Sequence, residues 1–287
     1  MTRILLTGIH GQVGWELQRT LQPLGEVVAL DRGGLDLENV EQLRAVVRDL
    51  RPAIIVNPAA YTAVDKAESE ADRALAINGT APGILGEEAR RLDALLVHYS
   101  TDYVFAGTKD DSYVETDPVA PCNSYGRSKL AGEQAIQASG CRHLILRTSW
   151  VYGMRGANFL RTMLRLAGER DELSIVADQV GAPTWSRMIA ETTAALLARH
   201  AGQTGIYHLT AQGATSWHGF AEKIFATAAE FGLLTKTPAL RRITSADYPT
   251  PAARPQNSRM SCARLDADFG LRLPDWADQL RLCLADR

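Results

Sequence analysis

Cysteine is scarce in this 287-residue chain: Cys122, Cys141, Cys262 and Cys283 stand far apart, with no C-x-x-C pair and no histidine cluster at zinc-ligand spacing. Neither a disulfide framework nor a structural metal is indicated, and the site expected below contains no metal ligand. Net charge is also nearly absent. The 31 basic and 33 acidic residues leave a formal charge of −2, which excludes a whole-chain electrostatic footprint for a nucleic acid polymer or an anionic membrane. Any anion site must therefore be local. The N-terminus has no long apolar run: Arg3-Ile4-Leu5-Leu6-Thr7 is too short for a signal peptide or a membrane span, and glycines follow it at once, so a cytoplasmic protein is expected. Internal repeats, low-complexity tracts and long linkers are missing too.

What is present is a chain with 46% hydrophobic residues, enough for a large core in one α/β domain or one domain with a smaller lobe. Short aliphatic runs at 4–6, 27–30, 54–57, 95–100 and 144–148 read as strands. Segments 12–22, 40–50, 74–92 and 125–138 between them carry helical periodicity. That alternation implies parallel strands joined by crossover helices, hence a doubly wound, Rossmann-type parallel sheet. After Trp150 the pattern changes to helices near 157–168, 185–200 and 217–231, a strand at 206–209 and a proline-rich loop at 248–255. The expected division is a dinucleotide-binding domain over 1–150, with part of 175–212 returning to it. A smaller C-terminal substrate-binding lobe is expected to occupy most of 151–287.

Thr7-Gly8-Ile9-His10-Gly11-Gln12-Val13-Gly14 follows the first strand and opens the first helix. Missing side chains there let backbone N–H groups and the helix N-terminus approach a pyrophosphate. His10 reads as a spacer within that loop rather than a catalytic group. The second strand ends in Leu30-Asp31-Arg32, where the acid suits the adenosine ribose diol of NADH and the arginine suits the 2′-phosphate of NADPH, so the cofactor stays open between the two. The third strand runs into Asn57-Pro58-Ala59-Ala60, small residues at a carboxyl edge that leave room for the nicotinamide ribose. The candidate cofactor set is Gly8, His10, Gly11, Gln12, Val13, Gly14, Asp31, Arg32, Asp36, Leu37, Ala59, Ala60 and Tyr61, with Tyr125 and Lys129.

Tyr125 and Lys129 are four residues apart on a helix and share a face, where an ammonium can lower a phenol's pKa and make it a proton donor. Thr101, at the end of the fourth strand, can point at the same carbonyl oxygen. The glycine loop, Thr101, Tyr125 and Lys129 together resemble the extended short-chain dehydrogenase/reductase family. The stretches His98 to Phe105, Asn57 to Glu68, Arg147 to Tyr152, Asp178 to Thr184 and Tyr248 to Ser258 are similar to its dTDP-4-dehydrorhamnose reductase subgroup, so the resemblance covers essentially the whole chain. It implies reduction of the 4-keto group of dTDP-6-deoxy-L-lyxo-4-hexulose to dTDP-L-rhamnose, with Thr101, Tyr125 and Lys129 as catalytic residues. It also implies sugar-nucleotide contacts at Val64, Asp102, Tyr103 and Trp150. The substrate diphosphate needs cationic or N–H donors, and Arg254 and Arg259 are the candidates.

One position departs from the subgroup's pattern: Pro58 stands where alanine is usual, and proline has no N–H to offer a cofactor. Related dehydratases carry Asp-Glu after the threonine, whereas Asp102 is followed here by Tyr103, which cannot replace a carboxylate in eliminating water. A sugar-nucleotide epimerase of the same fold remains the alternative among enzymes. A non-catalytic cofactor-binding protein, as in the regulatory subunit of methionine adenosyltransferase, is the alternative outside them. A monomer or homodimer is expected, and a Mg2+ ion bridging subunits, as described for some relatives, is left open.

Overall fold

The computed structural model describes residues 2–286. Its centre is a six-stranded parallel sheet. β1 (Arg3–Leu6), β2 (Glu26–Ala29), β3 (Ile54–Asn57), β4 (Leu95–Thr101) and β5 (Arg142–Thr148) are joined by a sixth strand, Gly205–His208, which pairs with β5. Across the sheet the order is Gly205–His208, β5, β4, β3, β1, β2. The direction of winding reverses between β1 and β3, and the crevice beyond the carboxyl ends of those strands is where such sheets take ligands.

Both faces of the sheet are covered, which is why the strands read as aliphatic runs rather than as alternating patterns. On one face Ile4, Leu6, Val56, Val97 and Leu146 pack with Leu17 and Leu21 of α1 (Gln12–Thr20) and its continuation, and with Ile189 and Leu196 of the helix Ser186–Arg199. On the other, Leu5, Ile55, Leu96 and Ile145 meet Leu43 and Val47 of α2 (Val40–Leu50). Leu85 of α4 (Ala81–Leu92) and Ile136 of α5 (Ser124–Ser139) complete that face.

The helix expected over 74–92 is longer and interrupted. It begins as α3 (Ala71–Leu75), widens into a π-helical turn at Ala76–Thr80 and continues as α4. Inside the widened turn the Asn78 side chain exchanges hydrogen bonds with the Tyr61 backbone (2.8 and 3.0 Å) and donates to Ser128 Oγ at 3.0 Å. Such turns concentrate at functional sites, and this one ties the end of β3 to the helix carrying Tyr125.

A separate apolar cluster lies in the C-terminal part. Tyr152, Leu160, Met163, Phe220, Ile224, Leu280 and Leu284 form it. Elements there without a sequence expectation include the parallel strand pair Glu172–Val176 with Ala239–Ile243, the short helix Ala263–Phe269 and the terminal helix Trp276–Ala285. Both strands carry mixed polar residues on a two-stranded ribbon, so neither shows a long apolar run.

Candidate active site

The glycine loop is shaped by close approach. Gly8 sits at φ +59°, and a β-carbon there would come within 2.8 Å of the Ala59 backbone; one on Gly14 would meet the Gly8 carbonyl oxygen at 2.1 Å. Only glycine fits both places, and the bare backbone of β1 and α1 faces a cleft of about 880 Å³. The cleft runs from Asp31, Arg32, Asp36 and Leu37 at one end, past the glycine loop with His10, Gln12 and Val13. It continues by Ala59, Ala60, Tyr61 and Val64 to Thr101, Asp102, Tyr103, Tyr125, Lys129 and Trp150. His10 is exposed, as a spacer in the loop would be, and its Nε2 lies 3.4 Å from Asp31 Oδ2.

α5 presents Tyr125 and Lys129 because its start and its middle are anchored. Its N-cap Asn123 accepts from the Gly126 N–H at 2.7 Å and donates to the Ala253 carbonyl at 2.7 Å. Its middle is clamped to β5 by a buried, bidentate ion pair, Arg147 Nε to Glu133 Oε1 at 2.9 Å and Nη2 to Oε2 at 2.6 Å. Glu133 follows Lys129 by four residues, so the clamp and the two site residues share one helical face.

Lys129 is almost fully buried, and its Nζ donates to the Tyr99 carbonyl at 2.6 Å and lies 3.2 Å from His98 Nε2. Behind His98, the Asn57 amide faces Nδ1 at 3.1 Å and accepts from the Thr7 hydroxyl at 2.6 Å. This buried chain joins the ends of β1, β3 and β4 to the lysine. Burial brings the Lys129 ammonium down to about 8, with Glu133 pulling weakly the other way. Burial also holds His98 well below the usual imidazole value, helped by Lys129, so the imidazole is neutral.

Tyr125 differs from the expectation. Burial, then the nearby Asp102 carboxylate, raises its phenol above the ordinary value, while the Thr101 hydroxyl opposes them. The sharing of a helical face holds, but the ammonium is spent on the β4 backbone and His98 rather than on the phenol. The consequence is a tyrosine held firmly in its protonated, donor form. Asp102 is itself raised to about 6 by burial, against hydrogen bonds from Ser258 and Thr101. Thr101 Oγ1 donates to Asp102 Oδ1 at 3.0 Å, and the Tyr103 ring meets the Tyr125 ring edge-on, with centroids 5.5 Å apart.

Trp150 occupies a strained position, φ +48°, uncommon for a residue with a β-carbon. Its indole stacks on Trp217 at 3.5 Å and 7° between planes, and on its other side leaves no room for a β-carbon at Gly181. Arg254 and Arg259 do not line the cleft. Arg254 donates to Asp65 Oδ2 at 2.7 Å and to the hydroxyl of the cleft residue Tyr103 at 3.4 Å. Arg259 is turned onto its own loop, with Nε donating to Asn257 Oδ1 at 2.9 Å and Nη2 to the Asp110 carbonyl. Ser258 of the same segment also meets the cleft wall, donating to Asp102.

Sequence reading also passed over Ser100 and Thr148, which line the cleft with buried hydroxyls that have no partner, and Glu38 and Arg73 at its far end. No pattern along the chain marks Ser100 and Thr148. Thr148 comes beside Thr101 only because β4 pairs with β5. Among the described residues no group of three or more His, Cys, Asp or Glu side chains is arranged to hold a metal ion, and no helix is long and apolar enough to cross a membrane.

The arrangement is that of a nicotinamide-dependent reductase, and relatives agree along the whole length. The family model described as RmlD substrate binding domain matches residues 1–287. A dTDP-4-dehydrorhamnose reductase of Burkholderia thailandensis is 51% identical over 297 aligned residues, covering 99% of this chain and 98% of that one. The chain belongs to the dTDP-4-dehydrorhamnose reductase family. A member from Escherichia coli K12 is 47% identical, covering 95% of this chain and 94% of its own. The crystal structure of the dTDP-4-dehydrorhamnose reductase of Bacillus anthracis in complex with NADP superposes with a TM-score of 0.94 at 37% identity, each chain covered completely. Membership in this reductase family makes the chain an oxidoreductase with a Rossmann-type fold.

Proposed function

We propose that this protein reduces the 4-keto group of dTDP-6-deoxy-L-lyxo-4-hexulose to give dTDP-L-rhamnose, using NADPH or NADH, as the last step of dTDP-rhamnose synthesis. The observation that carries the reading is the convergence of Thr101, Tyr125 and Lys129 at one end of the cleft whose other end is the glycine loop, in a chain alike throughout to named reductases. Residues 1–150, with part of 175–212, hold the cofactor in this proposal, and most of 151–287 holds the sugar nucleotide. A cytoplasmic monomer or homodimer completes it.

The residues present fit a nicotinamide dinucleotide. Gly8 and Gly14 leave a cradle that β-carbons would fill, and the unpartnered hydroxyls of Ser100 and Thr148 stand ready for polar groups of a ligand. When bound, the dihydronicotinamide supplies the hydride. The chain's own residues do the rest. Tyr125 donates a hydrogen bond to the sugar's carbonyl oxygen, and Thr101 adds a second when its single hydroxyl proton turns from Asp102 to that oxygen, so negative charge growing there meets both donors. Tyr125 then gives its proton to that oxygen. The Lys129 ammonium, fixed by the Tyr99 carbonyl, is held to grip the nicotinamide ribose. Val64, Tyr103 and Trp150 wall the sugar side, and Asp102, held between Thr101 and Ser258, orients the threonine hydroxyl.

The deciding experiment mixes the purified protein with the 4-keto sugar nucleotide and follows loss of NADH and of NADPH absorbance separately, with dTDP-L-rhamnose identified as product. Failure to oxidise either cofactor would overturn the reading. A product epimeric at a carbon other than C4, formed without net oxidation of cofactor, would favour an epimerase.

A further inference from the structure

At the adenosine end of the cleft β2 gives way to the turn Asp31-Arg32-Gly33-Gly34, and α3 brings Arg73 to the same wall. Two guanidinium groups converge there on one carboxylate. Arg32 Nη2 donates to Glu38 Oε2 at 2.5 Å, while Arg73 donates through Nε to Oε1 at 3.1 Å and through Nη2 to Oε2 at 3.2 Å. Asp36 accepts from Arg32 Nε at 3.3 Å, and Glu70 lies 3.6 Å from Arg73 Nη1. The forks that clasp Glu38 are those a phosphate would use, because carboxylate and phosphate oxygens are recognised by the same guanidinium geometry.

Asp31 stands apart from this cluster. Its Oδ1 accepts from the Gly33 and Gly34 N–H groups at 3.0 and 3.1 Å, which keeps the carboxyl below its usual value and ionised, while Oδ2 has only the 3.4 Å contact with His10. One oxygen is thus left for a ribose hydroxyl. Beside it lies an arginine pair already occupied by an anion of the protein's own. The side chains of Glu38, Arg73 and Arg32 are 28%, 42% and 64% exposed, so these ion pairs are solvent-screened and can be exchanged for a stronger anion.

We propose that Glu38 sets the cofactor choice: its carboxylate holds the Arg32 and Arg73 guanidiniums that a ribose 2′-phosphate would take, so a 2′-phosphorylated adenosine must displace it and an unphosphorylated one need not. The inference rests on the reductase reading and extends it to a residue outside the glycine loop and the β2 acid. Both cofactors are accepted, the phosphorylated one at a penalty that Glu38 imposes.

The test needs no sugar substrate. The whole protein and its Glu38→Gln variant are titrated by calorimetry with adenosine 2′,5′-bisphosphate and with adenosine 5′-monophosphate, which lacks the 2′-phosphate. Glutamine keeps the length and one acceptor but removes the charge, so the bisphosphate should bind about tenfold tighter to the variant, with the monophosphate changed less than about twofold. The KM for NADPH should fall in parallel while that for NADH holds. Arg73→Ala in the otherwise unaltered chain should weaken the bisphosphate alone. An equal shift for both nucleotides, no shift, or a weakened bisphosphate in Glu38→Gln would each overturn the proposal, the last by showing that Glu38 only positions the arginines. Turnover of the 4-keto sugar nucleotide by the unaltered chain with NADH reports separately on the reductase reading.

Discussion

Raising the pH through 8 should take the proton from Lys129 while Tyr125 keeps its own, and the two groups then report separately. Burial brings Lys129 from 10.5 down to about 8, whereas burial and Asp102 drive Tyr125 upward. The groups facing the ammonium are neutral His98 and the Tyr99 carbonyl on β4, with Asn57 behind His98 on β3 and Glu133 one turn along α5. With a pKa near 8 the lysine is about nine-tenths charged at pH 7 and about one-tenth charged at pH 9. If the ammonium grips the nicotinamide ribose, KM for NADH and NADPH should rise about tenfold over that interval, with the limb absent from Lys129→Gln. The stability sign is opposite. A folded-state pKa below the unfolded one means the folded chain binds fewer protons between about pH 8 and 10.5, so stability rises with pH across that window and is lost again as pH falls through 8. The whole effect is of order 3 kcal/mol, and Lys129→Gln should abolish it. Initial rates at saturating 4-keto sugar nucleotide, and urea midpoints at each pH, measure both. A flat KM to pH 9.5, or the same limb in Lys129→Gln, would refute the reasoning.

Tyr125→Phe should keep cofactor affinity and lose about 10²- to 10⁴-fold in turnover, since it removes the proton donor and leaves the buried ring; a variant within about threefold of the parent rate ends that assignment. Asp31→Ala should weaken NADH more than NADPH, because it deletes a ribose acceptor and a charge that repels a 2′-phosphate; equal losses would put Asp31 outside the ribose site. Trp150→Phe reduces the area stacked on Trp217, so the thermal midpoint should fall with a loss of about 0.5–1.5 kcal/mol. A raised KM for the sugar nucleotide in the same variant would show that the indole also contacts substrate, and normal kinetics would remove Trp150 from the site.

The strands and crossover helices of the first half were legible from the chain because these elements obey short-range rules. Buried parallel strands must be aliphatic, crossover helices must be amphipathic, and glycine alone tolerates the approach seen at Gly8 and Gly14. The spacing of Tyr125 and Lys129 was likewise decided locally, by the turn of a helix. What tertiary structure decided is where each charge is directed. The Lys129 ammonium meets the Tyr99 carbonyl and His98, partners thirty and thirty-one residues away, so its effect on Tyr125 was not a matter of spacing. Arg259 is drawn onto the Asp110 carbonyl and Arg254 onto Asp65, so neither lines the cleft, and Arg254 and Ser258 meet its wall only through Tyr103 and Asp102. Glu38 acquires its meaning only when α3 carries Arg73, thirty-five residues on, to the edge of β2. Local sequence determines which backbone shapes are possible, but the electrostatics of a buried site depend on distance through space, and that is set only once the sheet has brought its strand ends together.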